Sequence, residues 1–278
     1  MPSLDIKVLP KPRFDYLHRL LVAGVVVAIS GSLIFTLVGT VGLVMAFLAI
    51  VIRLSLTPDL ILKYHPSFRR TRALSRVVAK EAFDALDQLV AKAGLAEAPK
   101  LLISDRADLD AQTISTPFGA VIVVTRDMLE RFSNAELAGV LAHEIGHIKN
   151  RDGYIAWGLN TAALLALIFV VTGALLGWTR FEGLNALALE EGQAIVVVMT
   201  VISALAMLLN VVVLRALEND ADMTAIAMTG NPAALASALA KHPTENQGSY
   251  AYWLDGHPPT CKRIARLQAI AGVTGFSE

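Results

Sequence analysis

Three stretches of this chain contain no charged side chain: Leu20 to Ile52, Gly153 to Thr179 and Gly192 to Leu214, of 33, 27 and 23 residues. A helix needs about 20 apolar residues to cross a hydrocarbon core of roughly 30 Å. The second and third stretches therefore predict one membrane-spanning helix each. The first would run roughly 50 Å as one helix at about 1.5 Å per residue, too long even when tilted. Gly39 and Gly42, around Thr40, mark a reversal, so it predicts two short spans in a hairpin, with one long tilted helix as the alternative. Composition agrees: 55% of residues are hydrophobic and 17% charged, whereas a soluble domain averages about a quarter charged. A removed signal peptide is not expected, because nineteen residues precede the first stretch and no small-residue cleavage site ends it.

Charge is balanced, 24 basic against 24 acidic residues, which gives no argument for nucleic acid. Its distribution is uneven. Lys7, Lys11, Arg13 and Arg19 precede the first stretch, and Arg53, Lys63, Arg69, Arg70, Arg72 and Arg76 follow it. Lys149 and Arg151 precede the second and Arg215 follows the third, while the loop between them sets Arg180 against Glu182, Glu190 and Glu191. Positive residues stay on the cytoplasmic side, so both termini and the soluble segments are expected there. The single cysteine, Cys261, excludes an internal disulfide and suits a reducing compartment.

These boundaries predict a tail (1–19), a transmembrane hairpin (20–52), a first soluble segment (54–152), a third span (153–179), an external loop (180–191), a fourth span (192–214) and a second soluble segment (215–278). Leu74, Val77, Val78, Ala82, Ala85, Leu86, Leu89 and Val90 recur at helical spacing up to Gly94. Lys100 to Ser104 and Ala120 to Thr125 read as strands, with Asp105 to Gly119 a long loop between them. A helix continues out of the fourth span, broken at Gly230-Asn231-Pro232 and followed by a short Ala-rich helix. The stretch from His242 to Thr260 reads as irregular, and a helix from Lys262 to about Ile270 closes the chain.

Residues 143 to 147 read His-Glu-Ile-Gly-His. On a helix, residues four apart share one face, so His143 and His147 suit two ligands of a tetrahedral zinc, with Glu144 placed to take a proton from the attacking water. Ser133 and Glu136 form a capping box ahead of it. The bland alternative is a chance match on a surface helix. A catalytic zinc takes a third protein ligand. His18, His65, His242 and His257 are candidates, as are Glu218 and Asp222, four apart on the helix leaving the fourth span. The return of that helix to the same membrane surface would bring Glu218 near His147. A solvated acidic face of Glu218, Asp220 and Asp222 explains the same pattern.

The run from Leu129 to Asp152, including Val140-Leu141-Ala142-His143-Glu144-Ile145-Gly146-His147, resembles the active-site helix of the membrane zinc metallopeptidases that include HtpX and the CAAX prenyl proteases. Glu218-Asn219-Asp220-Ala221-Asp222 is similar to their Glu-x-x-Ala-Asp signature, and His257-Pro258-Pro259 with Arg263-Ile264 to their C-terminal His-Pro motif. The triplet Asp110-Ala111-Gln112 departs from an Asn-Ala-Phe-like one. The resemblance implies that Glu218 is the third zinc ligand, with Asp222 supporting the ligands from behind. It also implies that His257 and Arg263 act near the catalytic centre beside Glu144.

The fold expected is mainly α with a small β-sheet: four transmembrane helices and a cytoplasmic zincin-like domain assembled from two segments. The function expected is that of a multi-pass bacterial inner-membrane endopeptidase with one zinc per chain. It would act on polypeptides, membrane proteins among them, in quality control at the cytoplasmic face of the bilayer, with no oligomeric state fixed. An extended substrate is expected to pair alongside Ala120 to Thr125. Two other classes compete. A catalytically silent scaffold would have no need of His143, Glu144, His147 and Glu218 together. A transporter would place ionisable groups within its spans, and the three stretches hold none.

Overall fold

The computed structural model describes residues 71–105, 111–116, 118–156 and 258–274, the backbone of 186–241, and single positions at 47, 48, 51, 62, 63 and 158. Side chains on 186–241 are described at 201, 208 and from 210 onward. By chain contacts the molecule divides into two compact units, one of Met1–Asp15, Leu56–Tyr154 and Leu214–Glu278, the other of Tyr16–Ser55 and Ile155–Val213. Among the described residues no helix is long and apolar enough to cross a membrane. The expected spans in 20–52 and 153–179 lie almost wholly outside those residues.

The first unit is built on a four-stranded sheet of β1 (Thr71–Ala73), β2 (Lys100–Ser104), β3 (Ala111–Thr116) and β4 (Gly119–Thr125), in the order β1-β2-β4-β3. β2 and β4 run parallel, and β1 and β3 are antiparallel edges. β4 is apolar on both faces because both are covered: Ile122 and Val124 enter the main core, while Val121 and Val123 meet Ile114 on the other face. The sequence places β2 and β4 within a residue, but reads β3 as loop. β3 carries only one buried apolar side chain, Ile114, among Gln112, Thr113, Ser115 and Thr116. An edge strand needs no more.

Helix α1 (Lys80–Ala93) starts later than the apolar periodicity suggests: Leu74 is core, but Val77 and Val78 sit exposed in a turn. It ends at Gly94, whose φ of 68° is the left-handed conformation a glycine takes most readily. A short α2 (Arg126–Arg131), unforeseen in the sequence, leads into α3 (Asn134–Lys149), the helix of the His-Glu-Ile-Gly-His motif. α4 (Ala186–Thr229) is a single helix of 44 residues that begins inside the stretch expected as an external loop. The third uncharged stretch is part of it. Gly230 ends it, α5 (Pro232–Ala240) follows with Asn231 as N-cap, and α6 (Thr260–Thr274) closes the chain. α3 packs against α1, α5 and β3. Its residues Gly139 to Gly146 are buried without a break.

Candidate metal centre

The N-terminus of α3 is fixed by a complete capping box: the Glu136 N–H donates to Ser133 Oγ at 3.3 Å, and Glu136 Oε2 accepts from the Ser133 N–H at 2.7 Å. Glu136 also accepts from Ser237 Oγ and Lys241 Nζ, each at 2.7 Å, which ties the start of α3 to the end of α5. Burial favours the neutral acid, but Lys241 and the bonds from Ser133 and Ser237 prevail and hold the Glu136 carboxyl at about 2. A folded pKa below the unfolded value of 4.5 stabilises the fold above that pH. The contribution, at most about 3 kcal/mol because Lys241 is half-exposed, is lost as pH falls towards 2.

On the next turns of α3 the two imidazoles face each other, His143 Nε2 to His147 Nε2 at 3.1 Å. α4 brings Glu218 across to them, with Oε2 3.4 Å from His143 Nε2 and Oε1 3.5 Å from His147 Nε2. This close crossing depends on a residue without a side chain. A Cβ on Gly146 would lie 3.0 Å from the Ala221 carbonyl oxygen and 3.3 Å from its Cα. Gly139, two turns earlier, gives α5 the same approach, 3.3 Å from the Leu235 backbone.

The opposite ring nitrogens are held by carboxylates. His143 Nδ1 is 3.0 Å from Asp222 Oδ1, and His147 Nδ1 is 2.8 Å from Asp152 Oδ2. Each contact favours the tautomer with its proton on Nδ1, leaving Nε2 to bind a metal. Asp222 is fully buried and receives three guanidinium N–H groups: Arg263 Nε at 3.0 Å and Nη2 at 2.7 Å, and Arg266 Nη2 at 2.9 Å. Burial alone would raise its pKa, but Arg263 and His143 hold it well below the usual carboxylate range. Arg263 Nη1 also reaches Glu218 Oε2 at 3.2 Å, and Arg266 Nη1 donates to Asn219 Oδ1 at 2.6 Å. Burial opposes charge on His143, yet hydrogen bonds to Asp222 and Glu218 push its pKa up to about 10. The cage favours a cation.

The donor set fits a metal. The His143, His147 and Glu218 donor atoms all lie within 4.8 Å of one another, the one such group among the described residues. Ligands bound at about 2.0–2.1 Å in a tetrahedron stand about 3.4 Å apart, close to the 3.1 Å between the two Nε2 atoms and to the 3.4 and 3.5 Å from each of them to one or the other Glu218 oxygen. Glu144 is buried beside them and adds to the negative field on Arg263. Its backbone carbonyl accepts from Thr113 Oγ1 of β3 at 3.4 Å.

Of the site residues read from the sequence, the structure assembles His143, Glu144, His147, Glu218, Asp222 and Arg263. His257 lies outside the described residues. The alternative of a solvated acidic face is ruled out, because Glu218, Asp220 and Asp222 are all buried. Arg266 was not singled out in the sequence; it donates to Asp222 and Asn219. Asp152 was not singled out either. It reaches His147 because Arg151 adopts a left-handed φ of 58° and turns the chain back at the end of α3. β4 cannot accept a peptide as the sequence suggested, since β2 and β3 occupy both its edges.

A mixed sheet over a helix bearing two histidines, with a buried glutamate from a second helix, is the arrangement of a metallopeptidase. The chain belongs to peptidase family M48, whose model matches residues 78–271. It is 32% identical to the protease HtpX homolog of Thermococcus sibiricus over 236 residues, 75% of this chain and 80% of that one. It is 33% identical to the protease HtpX homolog of Tropheryma whipplei, over 71% of this chain and 75% of the relative. The homolog from Pyrococcus furiosus is 30% identical over 76% and 80%.

Proposed function

We propose that this chain is a membrane-anchored, zinc-dependent endopeptidase in which His143, His147 and Glu218 hold the metal and Glu144 is the general base. The observation that carries this reading is that the two Nε2 atoms stand 3.1 Å apart with the Glu218 carboxylate across from them, Oε2 3.4 Å from His143 and Oε1 3.5 Å from His147, so that one donor atom from each residue lies within 4.8 Å of the others. A zinc ion held there supplies Lewis acidity to water and to the scissile carbonyl. Glu144 accepts the water proton at a carboxylate oxygen and returns it to the leaving nitrogen. Arg263, bound to Asp222 and Glu218, orients both carboxylates, so its role is positioning. Among the described residues the edge strand beside Glu144 is β3, and an extended polypeptide pairs alongside it through its backbone.

The uncharged stretches at 20–52, 153–179 and 192–214 support an integral-membrane location, and the positive residues that flank them support a catalytic unit on the cytoplasmic side of a bacterial inner membrane. That location suits clearance of membrane proteins. The test is Glu144→Gln in the full-length chain, which should keep metal and fold while losing at least about a hundredfold in peptide-bond cleavage. Cleavage at the native rate would remove Glu144 from the mechanism.

A further inference from the structure

Of the large hydrophobic side chains exposed among the described residues, those in the first unit are Val77, Val78 and Phe118, at 91%, 80% and 63% exposure. All three stand at one end of the sheet. β1 finishes opposite the start of β2, with Ala73 paired to Leu102, and Val77 and Val78 follow in the next turn. β2 and β4 are parallel, with Lys100 opposite Val121, so the β3–β4 hairpin that carries Phe118 turns at that same end. Exposed apolar side chains thus stand at the same end of both edges of the sheet, although either edge could have ended in polar turn residues.

Segments that adjoin the uncharged stretches meet the hairpin at this end. A Cβ on Gly153, the first residue of the uncharged stretch 153–179, would sit 2.9 Å from the Ser115 carbonyl oxygen. The Tyr154 hydroxyl donates to the Thr116 carbonyl at 3.3 Å. Leu62, ten residues past the end of the first uncharged stretch, packs against Ile114, Val121 and Val123. Segments adjoining two membrane-length apolar stretches therefore both meet the hairpin that ends in Phe118. An exposed Phe on a soluble surface gains nothing from water, whereas at a headgroup boundary its burial is favourable.

We propose that this end of the sheet, with Phe118 and Val77–Val78 as anchors, docks onto the lipid surface next to the chain's own membrane segments. The proposal rests on the membrane-anchored reading above. Its consequence concerns substrate. β3 rises about 3.3 Å per residue, so the edge beside Glu144 at Thr113 would stand roughly 15 Å from the lipid-facing tip. A polypeptide drawn from the bilayer would meet the edge strand before the metal centre, which selects segments that extend several residues clear of the membrane.

The test uses the full-length chain with Cys261→Ser and single cysteines introduced by Phe118→Cys, Val77→Cys, Glu130→Cys or Leu164→Cys. Each is labelled with an environment-sensitive fluorophore and reconstituted in phosphatidylcholine–phosphatidylglycerol vesicles containing lipid with a nitroxide high on its acyl chain. Glu130 lies on α2, at the opposite end of the sheet, and Leu164 lies in the uncharged stretch. Labels at 118, 77 and 164 should lose most of their emission to the nitroxide, and the label at 130 should lose none. Quenching at 164 without quenching at 118 and 77 would overturn lipid docking and leave the membrane reading standing. No quenching at 164 would overturn both. A label at 118 that responds to an added unfolded polypeptide and not to the nitroxide would assign the tip to substrate instead.

Discussion

His143 and His147 stand one turn apart on α3, yet the carboxylates that orient them come from very different distances along the chain. Asp152 reaches His147 from five residues away, carried back by the left-handed turn at Arg151. Asp222 reaches His143 from the far helix α4 and is itself gripped by Arg263 and Arg266 of α6. The first arrangement is local and forms as soon as α3 ends. The second exists only when three separate helices have docked. Half the cage is thus set by helix geometry and half by tertiary assembly, so disturbing the two halves should have different consequences.

The largest effect is expected at the assembled half. Asp222→Ala would strand two guanidinium groups against α4, one of them buried, and removing one partner of a buried charge pair costs about 3–5 kcal/mol. Chemical denaturation should show a loss of that size, together with loss of metal binding. A stability close to native would mean that Asp222 is not the keystone of the α4–α6 contact.

Next in size is the crossing of α3 with α4. Gly146→Val adds a branched side chain where even a Cβ lies 3.0 Å from the Ala221 carbonyl, and overpacking of this kind costs about 1–3 kcal/mol. The helices should part and withdraw Glu218 from the histidines, so metal affinity should fall more steeply than stability does. Equal metal affinity in this variant, measured by competition with a chelating dye, would show that the crossing does not set the position of Glu218.

The smallest effect belongs to the local half. Asp152→Asn keeps an acceptor for His147 Nδ1 and removes the charge behind it. Metal affinity should drop about tenfold, the low end for loss of a partner behind a metal-binding histidine. The unfolding midpoint should barely move. A loss of stability comparable to that of Asp222→Ala would erase the distinction between the two halves.

The same division decides what could be read from the sequence. The helix with its capping box, the His143–His147 face and strands β2 and β4 were legible because each is written in local periodicity. Glu218 and Asp222 were visible as a pair sharing a helix face, but spacing alone favoured a solvated surface. Arg266 and Gly146 carry no local signal for what they do. An arginine on an amphipathic helix reads as surface, and a glycine within a helix reads as a weak point, until the docked partner explains both. β3 was missed because an edge strand needs only one apolar residue, and Asp152 because its approach depends on one backbone angle at Arg151.

In the proposed metal site a carboxylate from α4 completes a ligand set begun on α3. Metal content of the purified full-length chain and of Glu218→Ala tests it most directly. About one zinc per native chain is expected, with most of it lost from the variant while the fold persists. Full zinc occupancy in Glu218→Ala would contradict it and place the third ligand elsewhere.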